Sequence, residues 1–410
     1  MALVTELFRQ RFVVLGALGV LAATGMIYGL FTHAVPVGAF FLTASSLAAG
    51  FGVAFVHLRH VALAAVAVAA PLPGMIWAWP FAATHGVGML PLVAAYGFAT
   101  LAGAAWCSEM LRGIADGRDR TAAILVRPAP MVRPVAVAVL VAGVVLLGWF
   151  FRIDALRAAG IAVEMFAGVL SALLFVTFGA LALPFSETAV TDINRARERR
   201  AVRLRFLAHL IEPRWGLSLA GVEMVLAVLG YFALDALQAK GAMTAHYGYW
   251  SAAALVVFAA TFGVGRDWRD ALAGLVALAV ETLLGLWLWA IAVGQLTTLA
   301  LVVVVMTDAV SLMPILVLVG KARSYRMDGD APDIARLKAM EDGAVPAVYG
   351  CACAGAAIMP WVVLHGSMVT LAMLFALAAI ESTIGAPAIA TALETMVRRR
   401  YSVEKLYGRG

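Results

Sequence analysis

The chain has 410 residues, 63% of them hydrophobic and 13% charged, with a mean hydropathy of +0.95. Soluble globular domains carry about twice that share of charge, so the composition excludes one and points to a membrane protein of many spans. The formal charge of +6 does not indicate a nucleic-acid partner, because the basic residues fall in the short gaps between apolar runs.

Runs of about 18 to 25 apolar residues can each cross a bilayer as a helix. Twelve spans are predicted, at 12–31, 36–57, 61–81, 87–110, 134–151, 158–184, 216–236, 247–265, 271–293, 297–320, 344–364 and 368–392. The first follows Arg9 and Arg11 but lacks a small-x-small cleavage pattern, so it is expected to be a retained helix and not a signal peptide. The third contains Pro71 and Pro73. If both termini share one side, 27 of the 30 Lys and Arg lie on that side, against Arg152, Arg157 and Lys240 opposite. The positive-inside rule then places both termini on the cytoplasmic side. The basic segment 192–206 needs no ligand beyond that rule, although such a run can also touch anionic lipid headgroups.

The halves repeat. Laying 108–150 over 320–362 at a constant offset of 212 brings Asp116-Gly117 onto Asp328-Gly329, Pro134 onto Pro346, Ala142-Gly143 onto Ala354-Gly355 and Trp149 onto Trp361. Upstream, 57–63 overlies 267–273 at offset 210, which also joins the Trp-x-Trp pairs of 76–81 and 286–291, expected in an aromatic belt. At offset 203, Arg11 and Tyr28 meet Arg214 and Tyr231. The expected fold is therefore all-α, a polytopic membrane protein of about twelve helices in two parallel six-helix repeats related by an axis along the membrane normal. The repeats are expected at 1–191 and 214–397, with a basic linker at 192–213 and a tail at 398–410. After the tenth span, 333–346 reads as an amphipathic interfacial helix with Ile334, Leu337, Met340 and Ala344 on one face and Arg336 largely elsewhere. Its first-half counterpart, broken by Pro128 and Pro130, should be shorter.

Chemistry is sparse. Cys107, Cys351 and Cys353 imply neither a disulfide framework nor a metal site, since Cys351 and Cys353 point about 200° apart on a helix. His57 and His60 read as interfacial residues. There is no P-loop, H-E-x-x-H, G-x-S-x-G or haem-attachment motif, so neither an enzyme nor a cofactor is expected. Acids nevertheless lie inside the spans: Glu164, Glu223, Glu281, Asp308 and Glu381. Asp308 stands in an otherwise uncharged run from Thr297 to Gly320, where an ionised carboxylate costs at least a few kcal/mol. No Lys or Arg lies deep in a span to neutralise these acids, so each is expected to be protonated, hydrated or hydrogen-bonded. Asp308, Glu281 and Glu381 are the proton-relay candidates, with Ser311 and Tyr96 as partners of Asp308. The competing role of each acid is an interhelical hydrogen bond, worth only about 1 kcal/mol.

Each repeat opens its third span with Arg followed by His or Asp (Arg59-His60, Arg269-Asp270), then runs through a fourth span, an Asp-Gly connector and a Pro-entered fifth span. This order resembles the resistance-nodulation-division (RND) superfamily, in particular its MMPL-type and hopanoid-exporter branches, best over 267–400 and also over 57–150. The resemblance implies a proton role for Asp308, which falls where the family carries an acid in its tenth helix; the first-half equivalent is Tyr96. It also implies large extracytoplasmic domains after the first and seventh spans, where this chain has only Thr32 to Val35 and Gln238 to Tyr247. The expected function is an inner-membrane transporter or flippase, proton-linked, for a hydrophobic or lipid-like substrate. Membrane lipids surround it, and an extracytoplasmic partner subunit could supply the missing parts. The alternative is a non-transporting scaffold or assembly factor that keeps the fold.

Overall fold

Apolar segments in a bilayer must pair every backbone N–H and C=O internally, and this chain does so with helices: no strand occurs among the described residues. The computed structural model describes residues 13, 15–17, 20, 23–24, 37–84, 86–87, 89–118, 120–125, 128–150, 155–182, 213–236, 247–293, 298–363 and 368–407. Most of the first predicted span, the loop 32–35, the basic linker and 238–246 lie outside them. The second span is Val37–Leu58, the fourth Met89–Ala115, the sixth Ala155–Ala182, the seventh Pro213–Ala236, the eighth Tyr247–Gly265, the ninth Trp268–Val293 and the tenth Thr298–Met327. Among the described residues, 10 helical stretches are long and apolar enough to cross a membrane.

Three spans depart from a plain helix. The third breaks into Val61–Ala69 and Leu72–Thr84, because Pro71 brings no N–H to the ladder. Ser171 of the sixth span repairs the break: its hydroxyl donates to Ala70 O at 2.7 Å and accepts from Gly74 N at 3.1 Å. The fifth span, Val132–Leu140, continues as π-helix through Val141–Trp149, and the twelfth, Met368–Ile380, passes through a π turn at Glu381–Gly385 before Ala386–Tyr407. The expected interfacial helix at 333–346 is not separate. It is the start of one 32-residue helix, Pro332–Val363, that includes the eleventh span. Its buried stripe is also rotated from the expected one: Ala335, Arg336, Ala339 and Met340 are buried, whereas Ile334 is 46% exposed. The first-half counterpart is the short helix Arg120–Leu125, as expected.

Packing follows the duplication. The second span packs on the third as the eighth does on the ninth, the third on the sixth as the ninth on the twelfth, and the fourth on the sixth as the tenth on the twelfth. The exchange across the centre is reciprocal, the fourth with the eleventh and the tenth with the fifth. The fourth and tenth spans touch, and 100% and 94% of their apolar windows are buried, against 17% for the seventh. Glu109 of the fourth span and Lys321 of the tenth, equivalent at offset 212, form an ion pair. Equivalent residues can meet only at the pseudo-two-fold axis, and both sit near the C-terminal ends of their helices, so the two spans run parallel.

Both central helices end alike. Gly117 and Gly329 adopt φ of 73° and 98°, and in each the Schellman pair closes the helix: Gly117 N to Ile114 O and Arg118 N to Gly113 O, Gly329 N to Arg326 O and Asp330 N to Tyr325 O. A side-chain carbon added at either glycine would meet no atom within 4 Å, so the need is for backbone conformation alone. Gly117→Ala and Gly329→Ala should therefore each lower stability by about 1 kcal/mol. Thermal unfolding of the purified protein would check this; a loss at one site alone would break the equivalence of the two turns.

One expected register is corrected. Arg59 and Arg266 are the two non-glycine residues with positive φ among the described residues, at 55° and 59°, each closing a helix onto the residue four before it. His60 then caps the next helix, its Nδ1 accepting from Leu63 N, and Asp267 accepts from Arg269 N. The equivalent pairs at this turn are thus Arg59-His60 and Arg266-Asp267, at offset 207 and not 210. The Trp pairs do not form a simple belt either: Trp77 is 52% exposed while Trp289 is buried.

Candidate functional site

The buried acids converge within the second half. On the ninth span Glu281 and Thr282 face the tenth, and two side-chain rungs join the helices: Thr282 Oγ1 donates to Asp308 Oδ2 at 2.9 Å and Ser311 Oγ donates to Glu281 Oε1 at 2.8 Å. Glu281 lies within electrostatic reach of both Asp308 and Glu381. Glu381 is the first residue of the π turn in the twelfth span. The wider turn leaves Gly385 beneath the carboxyls of Glu381 and Glu223: a side-chain carbon there would sit 3.0 Å from Glu223 Oε1 and closer still to Glu381 Oε2. π turns of this kind recur at functional sites. Tyr249 of the eighth span closes one side near Asp308, its hydroxyl donating to Leu146 O at 3.0 Å.

The group is buried and rich in carboxyls. Glu281, Asp308 and Glu381 are 1%, 4% and 4% exposed. No Lys or Arg occurs between 271 and 293, 298 and 320, or 344 and 397. Glu223, Glu281, Asp308 and Glu381 each keep one carboxyl oxygen without a protein hydrogen-bond partner. Buried oxygens left this way fit a carboxylic O–H or a water, and a cluster of mutually exposed acids can pass a proton from one member to the next.

Two expected partnerships change. Ser311 bonds Glu281 and not Asp308, because it lies on the adjoining rung. Tyr96 is absent from the cluster; its hydroxyl donates to Val68 O of the third span at 3.0 Å. Nor does Asp308 face the seam between the fourth and tenth spans. Lys321, which does, is thirteen residues away, and at about 100° per residue that turns the side chain roughly 220° round the helix. Thr282 and Tyr249 were not foreseen; the run Glu281-Thr282 in an apolar span was the available signal for the first. Glu164 is buried in the sixth span with neither carboxyl oxygen bonded.

A second layer of charge lies toward the basic ends of the same helices. Arg336 is 3% exposed, with Nε donating to Asp270 Oδ1 at 2.8 Å and Nη1 donating to Glu394. Arg326 bonds Asp267 at 2.7 Å and Asp270 at 2.8 Å, and Arg269 lies 3.9 Å from Glu394. Three cations thus meet three carboxylates. Across the axis, Asp342 accepts from Arg112 and from the Tyr325 hydroxyl beside the Glu109 and Lys321 pair. Eleven residues separate Asp270 from Glu281 and thirteen separate Glu381 from Glu394, so the two layers stand about 16 to 20 Å apart along the helices.

No protein-family model matches the chain, and no curated protein matches it. Solved structures do. SecDF from Thermus thermophilus, described as a translocon-associated membrane protein, superposes with a TM-score of 0.62 at 12% identity, over 88% of this chain and 62% of its own. SecDF in its Super-membrane-facing form gives 0.62 at 11%, over 89% and 63%. At 11 to 12% identity the likeness is one of fold: this chain shares the helical membrane fold of SecDF, and neither match is an MMPL-type or hopanoid exporter. This chain spans less than two thirds of the length of either.

Proposed function

We propose that the protein is a proton-linked transporter or flippase of the bacterial inner membrane, with both termini cytoplasmic, in which Glu281, Asp308 and Glu381 carry the proton. The two halves, 1–191 and 214–397, would move against each other about the axis marked by Glu109 and Lys321. The observation that carries this reading is the convergence of uncompensated carboxyls from the seventh, ninth, tenth and twelfth spans. A hydrophobic or lipid-like substrate is supported by an apolar groove of about 360 Å³ lined by Trp77, Leu140, Val144, Phe166 and Leu170 of the third, fifth and sixth spans. The short loop between the seventh and eighth spans fits a subunit whose extracytoplasmic partner supplies substrate handling. A translocon-associated role, as described for Thermus thermophilus SecDF, is one form of it.

The scaffold reading draws on one observation: the seam between the fourth and tenth spans holds only a cavity of about 20 Å³, beside Glu109 and Lys321. The readings part in proteoliposomes loaded with a pH-sensitive dye. Under an imposed, inside-negative membrane potential, the transporter should acidify the lumen several times faster than empty liposomes. A rate equal to that of empty liposomes, with and without added native lipid extract, would leave the scaffold reading standing.

A further inference from the structure

The cations of the basic face fall into two groups. Arg112, Arg269, Lys321, Arg326, Arg336 and Lys338 all meet carboxylates. Arg133 and Arg323 meet none among the described residues. Each gives one guanidinium N–H to a backbone carbonyl, Arg133 Nη2 donating to Gly263 O at 2.9 Å and Arg323 Nη1 to Val264 O at 3.1 Å. Arg326 donates to the next carbonyl, Gly265 O, but is neutralised by Asp267 and Asp270. These carbonyls end the eighth span, and a helix end of this kind would by itself repel an anion. The arginines seated on it reverse the sign.

The two unpaired arginines come from opposite halves, and close packing brings them to one corner. A side-chain carbon at Gly320 would sit 2.7 Å from Pro134 Cγ and 3.4 Å from Val264 Cγ1, so the fifth, eighth and tenth spans meet beside Arg133 and Arg323. Their carbonyl acceptors are neighbours on one helix, which keeps the two bonded nitrogens within about 10 Å of each other. Arg266, exposed, follows on the same helix end. From this corner two lipid-facing stripes run into the membrane, Val132, Leu140 and Val144 on the fifth span and Phe262 and Leu255 on the eighth, all between 41 and 71% exposed.

We infer that this corner binds the headgroup of an anionic phospholipid, its phosphate bridging Arg133 and Arg323 and so joining the two halves at the basic face, with its chains along the two stripes. Each guanidinium keeps further N–H donors beyond the one on its carbonyl, in a planar fork that matches paired phosphate oxygens. The carbonyl bonds hold both forks in place before the lipid arrives, so little side-chain freedom is lost on binding. Topology accounts for cations on this face, but it does not bring two unpaired ones from different halves onto neighbouring carbonyls. A zwitterionic headgroup offers the same phosphate together with an ammonium that the surrounding arginines repel, which selects the anionic class. The site involves neither the carboxyl cluster nor the basic segment 192–206, and it holds whether or not the acids carry protons.

Native mass spectrometry of the delipidated protein in detergent, titrated with phosphatidylglycerol, reads the site directly. Wild type should hold the first phosphatidylglycerol about fivefold more tightly than phosphatidylethanolamine of the same chains, the worth of roughly one charge at a membrane surface. Arg133→Gln and Arg323→Gln keep a donor for their carbonyls but lose the charge, and each should weaken phosphatidylglycerol by about tenfold. Arg118→Gln removes one exposed charge from the same face outside the corner and should change binding by less than about twofold. Unfolding curves without lipid should coincide for all four proteins, and since Arg133 is exposed, its variant carries the test if Arg323→Gln unfolds. Equal losses in Arg118→Gln and the corner variants would mean a diffuse basic surface and overturn the site, as would phosphatidylethanolamine held as tightly as phosphatidylglycerol. A protein that binds inorganic phosphate at the corner but forms no phosphatidylglycerol adduct would have a site for the free anion, and the lipid assignment would fall.

Discussion

Asp308→Asn should give a folded protein whose proton-linked activity has fallen at least about 100-fold, the lower range of what a positioned proton-transfer group contributes. The amide keeps an oxygen to accept the Thr282 hydrogen bond, so the rung between the ninth and tenth spans survives, but it carries no titratable proton. Asp308→Leu separates structure from chemistry. Thr282 Oγ1 also has its own backbone acceptor, Leu278 O at 2.8 Å, so losing Asp308 does not orphan the hydroxyl. The leucine variant should therefore be destabilised by only about 1 kcal/mol or less while being equally inactive. Dye-reported proton uptake from about pH 5 to 8, alongside thermal unfolding, would measure both. Wild-type uptake in Asp308→Asn across that range would end any proton role for this residue.

The largest loss of stability should come from Arg336→Met. The guanidinium is buried among Asp267, Asp270 and Glu394, and removing it strands charge that has no water to turn to. Breaking a buried pair in this way costs about 3 to 5 kcal/mol. Asp270 would keep Arg326 at 2.8 Å, whereas Glu394 would lose its direct bond to Arg336 and keep Arg269 at 3.9 Å, so more of the strain falls on Glu394. Adding Glu394→Leu to Arg336→Met should therefore recover much of the loss, and unfolding curves in detergent would show it. The pair of Lys338 with Asp330 is the control, since its lysine side chain is 47% exposed. Lys338→Met should cost well under about 1 kcal/mol. Equal effects at the two arginine and lysine sites would mean that burial is not what gives the Arg336 cluster its weight.

The fold class was legible because hydrocarbon tolerates few solutions: long uncharged runs become helices, and basic residues collect at their ends. The duplication was legible where geometry demands a particular residue. The Asp-Gly turns need glycine at positive φ, and Pro134 and Pro346 are equivalent in sequence although Pro134 lies in the first turn of its helix and Pro346 inside the long helix Pro332–Val363. The offset of 212 also makes Glu109 and Lys321 equivalent, and the structure brings the two together at the axis. At the preceding turn the sequence match misses by three residues. Arg59-His60 lines up with Arg269-Asp270 by residue type, whereas a helix end is defined by the left-handed residue and the capping oxygen after it, which are Arg266 and Asp267.

The sequence by itself determined that this is a duplicated, helical membrane protein with Glu281, Asp308 and Glu381 inside its apolar spans, because an apolar span carries its few acids into the membrane with it. Only the tertiary structure decided what those acids meet. A helix repeats every 3.6 residues, so a side chain's direction is settled relative to its neighbours on the same helix but not relative to other helices. Which neighbour it faces depends on how each helix is rotated when the bundle packs. That rotation turned Asp308 from the central seam toward Thr282, sent Tyr96 to Val68, and drew Arg336 from an expected outer face into a buried cluster with Asp270 and Glu394.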